Sequence, residues 1–253
     1  LSRGSVDELF IASDDAGMIL AWERIADSYT VRVRLLPKIE LPGERIFRVE
    51  YTAGMPLLLP RAEPLELVHN RLLKRLIDLV MCSLVLLLVY PRAFPLIALL
   101  VKISGAGSVF YVQERTGLRD ENFKMIKFRS MRSDGQVTRI GRFIRRYSLD
   151  ELPQFINVLR GDMSVVGPRP HMLEHTGEYR KRLDDFMLRH LIHPGLTGLA
   201  QVQGHRGKIE APEELEARVR ADVYYLENWS VLLDLKIIVL TIFQLVFPVP
   251  KAR

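Results

Sequence analysis

The first sixty residues change hydrophobic period several times. ELFIAS (8–13) reads as a short strand. AGMILAWERIADS (16–28) has helical spacing, with Ile19, Leu20, Trp22 and Ile25 toward one side. TVRVRLLP (30–37) alternates apolar residues with arginine, as a half-buried strand does. RIFRVEYTAGMPLLL supplies further strand-like sequence. Strand, helix, strand predicts an α/β unit. This region lacks a glycine-rich phosphate loop, so it is assigned no nucleotide chemistry and is expected to be structural or regulatory.

The pattern then becomes almost continuously apolar in KRLIDLVMCSLVLLLVYPRAFPLIALLVK, Lys74 to Lys102. As one straight helix, Leu76 to Val101 would reach roughly 39 Å, ample for a bilayer core of about 30 Å. Three features oppose straightness. Pro91 and Pro95 break or kink the middle. Arg92 would lie near the bilayer centre, at a cost of roughly 2.5–3.5 kcal/mol. Lys74, Arg75 and Lys102 flank both ends, and positive charge favours the cytoplasmic side. A helix that enters, turns at the prolines and leaves by the same face is the expected arrangement, with Arg92 snorkelling or pairing at the apex. A buried soluble helix pair and a single span are the alternatives.

GSVFYVQERTG and ENFKMIKFRSM read as strands. VTRIGRFIRRY (137–147) places Ile140, Phe143 and Ile144 on one helical face against Arg139, Arg142, Arg145 and Arg146, the composition of an interfacial helix on acidic lipid. The alternative is a solvated basic face. VLLDLKIIVLTIFQLVF (231–247) carries Asp234, Lys236, Thr241 and Gln244, too polar for a span; it is expected to pack or to lie in the interface. The 253 residues are 48% hydrophobic, enough for a sizeable core, and the formal net charge is +6. That whole excess falls between Glu114 and Arg146, where ten Lys and Arg face four Asp and Glu. The lone cysteine, Cys82, excludes an intrachain disulfide, as expected of a reducing compartment. The chain begins at Leu1 directly in folded-looking sequence, so it is expected to be part of something longer.

YSLDELPQF (147–155) sets Asp150 and Glu151 side by side just after the arginines. Ser148 and Glu151 have capping-box spacing, yet Pro153 would then be the fifth helical residue, where its ring meets a carbonyl. The chemical alternative is that one carboxylate attacks phosphorus, while cations or a divalent metal neutralise the phosphate oxygens. Lys127 and Arg129, two apart on a strand, face the same way. Arg169, held between prolines in GPRP, suits bidentate phosphate binding. His171, Glu174 and His175 form an H-x-x-E-H pattern, which with six histidines in the chain is easily met by chance.

KRLIDLV, QERTG, KMIKFRSM, SLDELPQFINVLRGDMSVVGPRP, HPGLTGLAQVQG and ADVYYLENWSVLLDLKI, in this order from Lys74 to Phe247, resemble the bacterial sugar transferases, the monotopic phosphoglycosyl transferases. Residues 1–70 resemble the tail of the Rossmann-like domain that precedes the catalytic part in long members. The resemblance implies a partial Rossmann-like α/β domain (1–65), a linker and re-entrant membrane helix (66–104), and a mainly α (α+β) monotopic catalytic domain on the cytoplasmic side (105–253). It implies that Asp150 attacks the β-phosphorus of a UDP-sugar, expels UMP, and passes the sugar phosphate to undecaprenyl phosphate at the inner membrane. Mg²⁺ is the implied cofactor, with Asp150 and Glu151 as its ligands. Lys127, Arg129, Arg145 and Arg169 are the implied phosphate-binding residues, and Gln201, Asp222 and Tyr224 the implied substrate contacts. Long members also suggest a homodimer. His193 and Leu199 replace the family's usual Arg and Trp around the PGxTG motif, and MRSDGQVTRIG is short for the family: either the loop is naturally short or residues are missing near Asp134–Gly135. HRG (205–207) and the RVRADVYYLENWS tract look most like members that use UDP-glucose for exopolysaccharide; UDP-galactose or a UDP-N-acetylhexosamine is the alternative donor.

A membrane-bound regulatory protein whose basic helix binds acidic lipid is the competing reading, and makes Asp150 and Glu151 mere helix caps. Nucleic acid is disfavoured as a partner, because the arginines alternate with aliphatic residues, not with stacking aromatics.

Overall fold

A computed structural model describes residues 8–29, 31–35, 48–52, 55–59, 61, 63–105, 107–205, 207, 209 and 211–247. The chain divides into two compact units, Leu1–Arg61 and Ala62–Arg253.

In the first unit β1 (Glu8–Ile11) and β2 (Arg32–Leu35) pair in parallel, joined by α1 (Ala16–Ser28). Asp15 starts α1, its carboxylate accepting from Gly17 N at 2.8 Å. This is the β–α–β unit the periodicity predicts. Its helix differs in one respect: Leu20, Trp22 and Ile25 are exposed, and the buried residue is Ala26. An antiparallel hairpin follows, β3 (Arg48–Thr52) with β4 (Met55–Leu59). Among the described residues each of these sheets has two strands.

The second unit opens with α2 (Val68–Leu88) and α3 (Tyr90–Ile103). Among the described residues no single helix is long and apolar enough to cross a membrane, but these two together are, with a 68° bend between them. The break falls at Val89, just before Pro91, which sits in the first turn of α3 where no N–H is required. Arg92 Nη1 donates back to Leu88 O at 3.2 Å, so this cation caps the carboxyl end of α2. Leu72, Leu76, Leu84, Leu87, Leu96 and Leu99 are all exposed. The N-terminal flanking charges behave otherwise than expected. Lys74 is buried against Asp234, and Arg75 donates to Val158 O and Leu159 O at 2.5 and 2.7 Å. Neither ammonium nor guanidinium is spare for lipid headgroups.

The hairpin β5 (Phe110–Thr116) and β6 (Asn122–Phe128) leads to α4 (Arg139–Arg146) and α5 (Gln154–Arg160). The short Asp134–Gly135 loop closes locally, Arg132 N donating to Gln136 O and Gly135 N to Arg132 O. Then come β7 (Ser164–Val166), α6 (Leu173–Arg180), β8 (Gly195–Thr197), α7 (Leu199–Val202), α8 (Pro212–Glu227) and α9 (Val231–Val246). β7 and β8 form a parallel pair. The main core joins Cys82, Met125, Val158, Met163, Tyr225, Leu226 and Ile237, with Leu199 packed against it. A second cluster joins Ile97 and Val101 of α3 to Phe128 and Ile144. The apolar side of α4 is therefore largely spent on the protein: Ile144 is buried and Ile140 packs beside it, leaving Phe143 exposed.

Candidate active site

The YSLDELPQF tract does not form a capping box. α4 ends at Arg146 with Tyr147 as its cap, and Ser148 is left-handed (φ 54°) with no side-chain cap. A single tight turn, Leu149–Glu151, follows, and α5 begins only after Pro153. The proline thus stands at the mouth of a helix, where its missing N–H costs nothing. α5 is tied to β6 by buried Asn157, which accepts from Ile126 N and donates to Lys124 O. That fixes Lys127 relative to the turn.

The turn gives its two carboxylates different surroundings. Glu151 Oε1 accepts from Lys127 Nζ at 3.1 Å and from Arg169 Nη2 at 2.7 Å. Burial alone would raise its pKa, but the charges and hydrogen bonds of Arg169 and Lys127 outweigh it and hold the carboxyl at about 2. Asp150 makes no hydrogen bond or ion pair among the described residues and is half-buried. Desolvation and the neighbouring Glu151 charge push it up to about 6, against the pull of Lys127, Arg145 and Arg169. That still leaves the ionised form favoured at pH 7. It is a carboxylate with raised basicity and no partner, a description that fits a nucleophile.

Arg169 reaches Glu151 because of a close approach of two loops. Gly167 N donates to Thr197 O, and Gly195 N to Pro168 O. A Cβ at Gly195 would stand 2.1 Å from Gly167 N, and one at Gly198 2.2 Å from Gly167 O. The glycines of VGPRP and PGLTG are what allow that contact. Behind it, buried Arg189 donates through Nη2 to Arg169 O at 2.7 Å and pairs with Asp222 Oδ2 at 2.8 Å.

Of the residues singled out in the sequence, Asp150, Glu151, Lys127 and Arg169 meet here, and Arg145 adds its field from the last turn of α4. Arg129 lies one residue beyond β6; its Nε donates to Ser108 and its guanidinium covers the Tyr111 ring, so it does not join Lys127 at the carboxylates. Asp222 is spent on Arg189, buried Gln201 donates to Leu196 O, and Tyr224 is exposed. His171 and His175 belong to an aromatic cluster with Tyr179 and Phe186. Arg189 and Asn157 went unnoticed in the sequence, since nothing in their spacing distinguishes a buried polar anchor from a surface one.

The donor set admits a hard divalent cation. Asp150 is unpaired, and both cations hold Glu151 through Oε1, leaving Oε2. Among the described residues no group of three His, Cys, Asp or Glu is disposed to hold a metal. The Asp150 carboxylate and Glu151 Oε2 are the oxygens that would hold such an ion.

The model for the bacterial sugar transferase family matches residues 69–248. The chain is 42% identical over 257 residues to the UDP-glucose:undecaprenyl-phosphate glucose-1-phosphate transferase of Escherichia coli (strain K12), covering 95% of this chain and 55% of that protein. It is 42% identical over 192 residues to the protein of the same name from Caulobacter vibrioides, covering 71% and 72%. A UDP-N-acetylgalactosamine-undecaprenyl-phosphate N-acetylgalactosaminephosphotransferase of Aeromonas hydrophila is 37% identical over 158 residues, 57% of this chain and 37% of that protein. The chain spans about half the length of the Escherichia coli relative. With motifs, bent helix pair and sequence in agreement, the chain belongs to the bacterial sugar transferase family.

Proposed function

We propose that the protein transfers glucose 1-phosphate from UDP-glucose to undecaprenyl phosphate at the cytoplasmic face of the bacterial inner membrane, the opening step of a polysaccharide. The observation that carries this is the unequal pair: Glu151 is clamped by Lys127 and Arg169, while Asp150 beside it is unpaired, half-exposed and more basic than an ordinary carboxylate. A lipid-binding regulator would need neither the clamp nor the freed neighbour.

In the first step an Asp150 carboxylate oxygen attacks the β-phosphorus. The bond from that phosphorus to the oxygen shared with the α-phosphate breaks, and UMP leaves with the electron pair. In the second, a phosphate oxygen of undecaprenyl phosphate attacks the same phosphorus and the bond to Asp150 breaks, restoring the carboxylate. Lys127, Arg145 and Arg169 offset the negative charge that gathers in both steps. Asp150 and Glu151 would hold Mg²⁺, which when bound supplies further charge neutralisation at the diphosphate. The donor identity follows the names of the Escherichia coli and Caulobacter relatives. A Rossmann-like N-terminal unit and a homodimer complete the reading.

The test is UMP release in nanodiscs with undecaprenyl phosphate, Mg²⁺ and UDP-glucose, UDP-galactose or either UDP-N-acetylhexosamine. UDP-glucose is expected to turn over fastest, and Asp150→Asn to lower the rate more than about 10³-fold. Intact mass should show a sugar phosphate on the wild type alone. Full activity in Asp150→Asn would refute the nucleophile; preference for UDP-N-acetylgalactosamine would reassign the donor toward that of the Aeromonas relative.

A further inference from the structure

The break between α2 and α3 touches the catalytic turn directly. Tyr90, the first residue of α3, donates its hydroxyl to Leu152 O at 2.6 Å. Leu152 ends the turn that carries Asp150 and Glu151. The Tyr90 ring stacks on Phe94 with centroids 4.6 Å apart, and Phe94 lies 4.8 Å from the ring of Phe128, the neighbour of Lys127. Leu149 and Leu152, on either side of the acidic pair, pack with Ile97, Val101 and Phe128. The turn is thus held from the side of the bent helix pair by two leucines in an apolar cluster and one phenolic hydrogen bond.

Packing and hydrogen bond do different things. Apolar contacts fix how deep the leucines sit but tolerate small rotations. Tyr90 is one of two donors on Leu152 O, beside Phe155 N at 3.1 Å, and holds that end of the single turn from the α3 side. Lys127 and Arg169 hold the Glu151 side of the turn; the Asp150 side chain makes no bond of its own among the described residues, so it is carried by the backbone that Tyr90 helps to orient.

We propose that Tyr90 is a positioning residue for Asp150: its hydroxyl orients the catalytic turn from the bend of the helix pair, so that the geometry of that bend sets the rate of nucleophilic attack. This rests on the covalent reading above. Near-attack geometry is steep enough that an error of about 1 Å can cost about 10²-fold; loss of one restraint among several is expected to cost less.

Tyr90→Phe keeps the ring and its stack and deletes only the hydroxyl. The experiment mixes protein in nanodiscs with UDP-glucose and Mg²⁺, without lipid acceptor, and follows UMP rapidly. The amplitude of the burst counts competent sites, and its rate constant reads the attack. The expected result is a rate roughly three- to tenfold lower, with amplitude, half-saturating UDP-glucose and unfolding midpoint as in wild type. An unchanged rate constant overturns the proposal, whether amplitude is kept or lost, since a merely structural hydroxyl changes only how many sites are folded. A rate loss matched by a shift in half-saturation also overturns it, because that marks a donor-binding role. Absence of a burst in the wild type would instead refute the covalent reading.

Discussion

With Lys127 and Arg169 both on one oxygen of Glu151, removal of that carboxylate leaves two cations crowded and partly buried, whereas removal of the Asp150 charge relieves a cost. The two residues should therefore affect stability in opposite senses. The Asp150 carboxyl is raised from its ordinary 3.8 to about 6. The native state then binds more protons than the unfolded chain between those values, so this group's contribution is complete below pH 3.8 and is lost as pH rises through 6. Glu151 is lowered from 4.5 to about 2, so its contribution is complete above pH 4.5 and is lost as pH falls toward 2. In chelated, metal-free protein, Asp150→Asn is expected to raise the unfolding midpoint by roughly 2–4 °C at pH 8, with the gain vanishing near pH 4, while turnover is lost. Glu151→Gln is expected to lower the midpoint at pH 7, by a margin that shrinks steadily below pH 4.5. Denaturation scans from pH 8 to 3 decide both, and a stabilising Glu151→Gln would contradict the clamp. At this scale the sequence made the pair visible but not the division of labour. Asp-Glu spacing shows two carboxylates; which one meets Lys127 depends on a left-handed Ser148 and a hairpin more than twenty residues away.

Element boundaries followed local chemistry closely where that chemistry was strong. The alternation of TVRVRLLP became β2, the prolines marked the α2–α3 break, and the arginine-rich tract became α4. What local pattern did not show is which face an element spends on its neighbours. α4 has the composition of a lipid-surface helix, yet Ile140 and Ile144 face Phe128 and α3. Its seat is made by Gly141: a Cβ there would stand 1.9 Å from Ser130 O, a backbone atom that cannot swing aside. Thr138 completes the seat, its hydroxyl accepting from Gly141 N at 2.8 Å. Gly141→Ala must therefore lift α4 off the strand end and carry Arg145 away from Asp150. A loss of about 1–3 kcal/mol is expected from overpacking, with turnover reduced although no substrate-contacting group is altered. Denaturant unfolding and UMP release, measured on the same preparation, check it. Gly177, with open space at its Cβ position, is the control and should tolerate alanine in that respect.

Over the whole second unit, the decisive contacts join segments remote in the chain. Lys74 Nζ meets Asp234 Oδ2 at 2.9 Å across 160 positions; Tyr225 donates to Asp234 Oδ1 at 2.7 Å, and Trp229 to Oδ2 at 3.2 Å. One turn along α2, Asp78 accepts from Ser164 Oγ and Val165 N, both at 2.9 Å. KRLID therefore joins α2 to α9 on one side and to β7, the strand that delivers Arg169, on the other. Read locally, Lys74 was a membrane-flanking cation and Asp234 a blemish in an apolar helix; only the fold makes them partners. A buried pair of this kind is dearer to break than to delete. Lys74→Met alone is expected to cost about 3–5 kcal/mol, because among the described residues Asp234 then keeps its charge with Tyr225 and Trp229 to solvate it. Asp234→Asn alone should also destabilise, though less, because the field of Asp78 still reaches the ammonium. The double variant should fall well short of the sum of the two, leaving a coupling of about 1–3 kcal/mol. Unfolding of all four proteins in the same detergent gives that coupling. If the single losses simply add, Lys74 and Asp234 are independent, and the helix pair is held to the rest of the unit by apolar packing, Asp78 and the bonds of Arg75 and Tyr90.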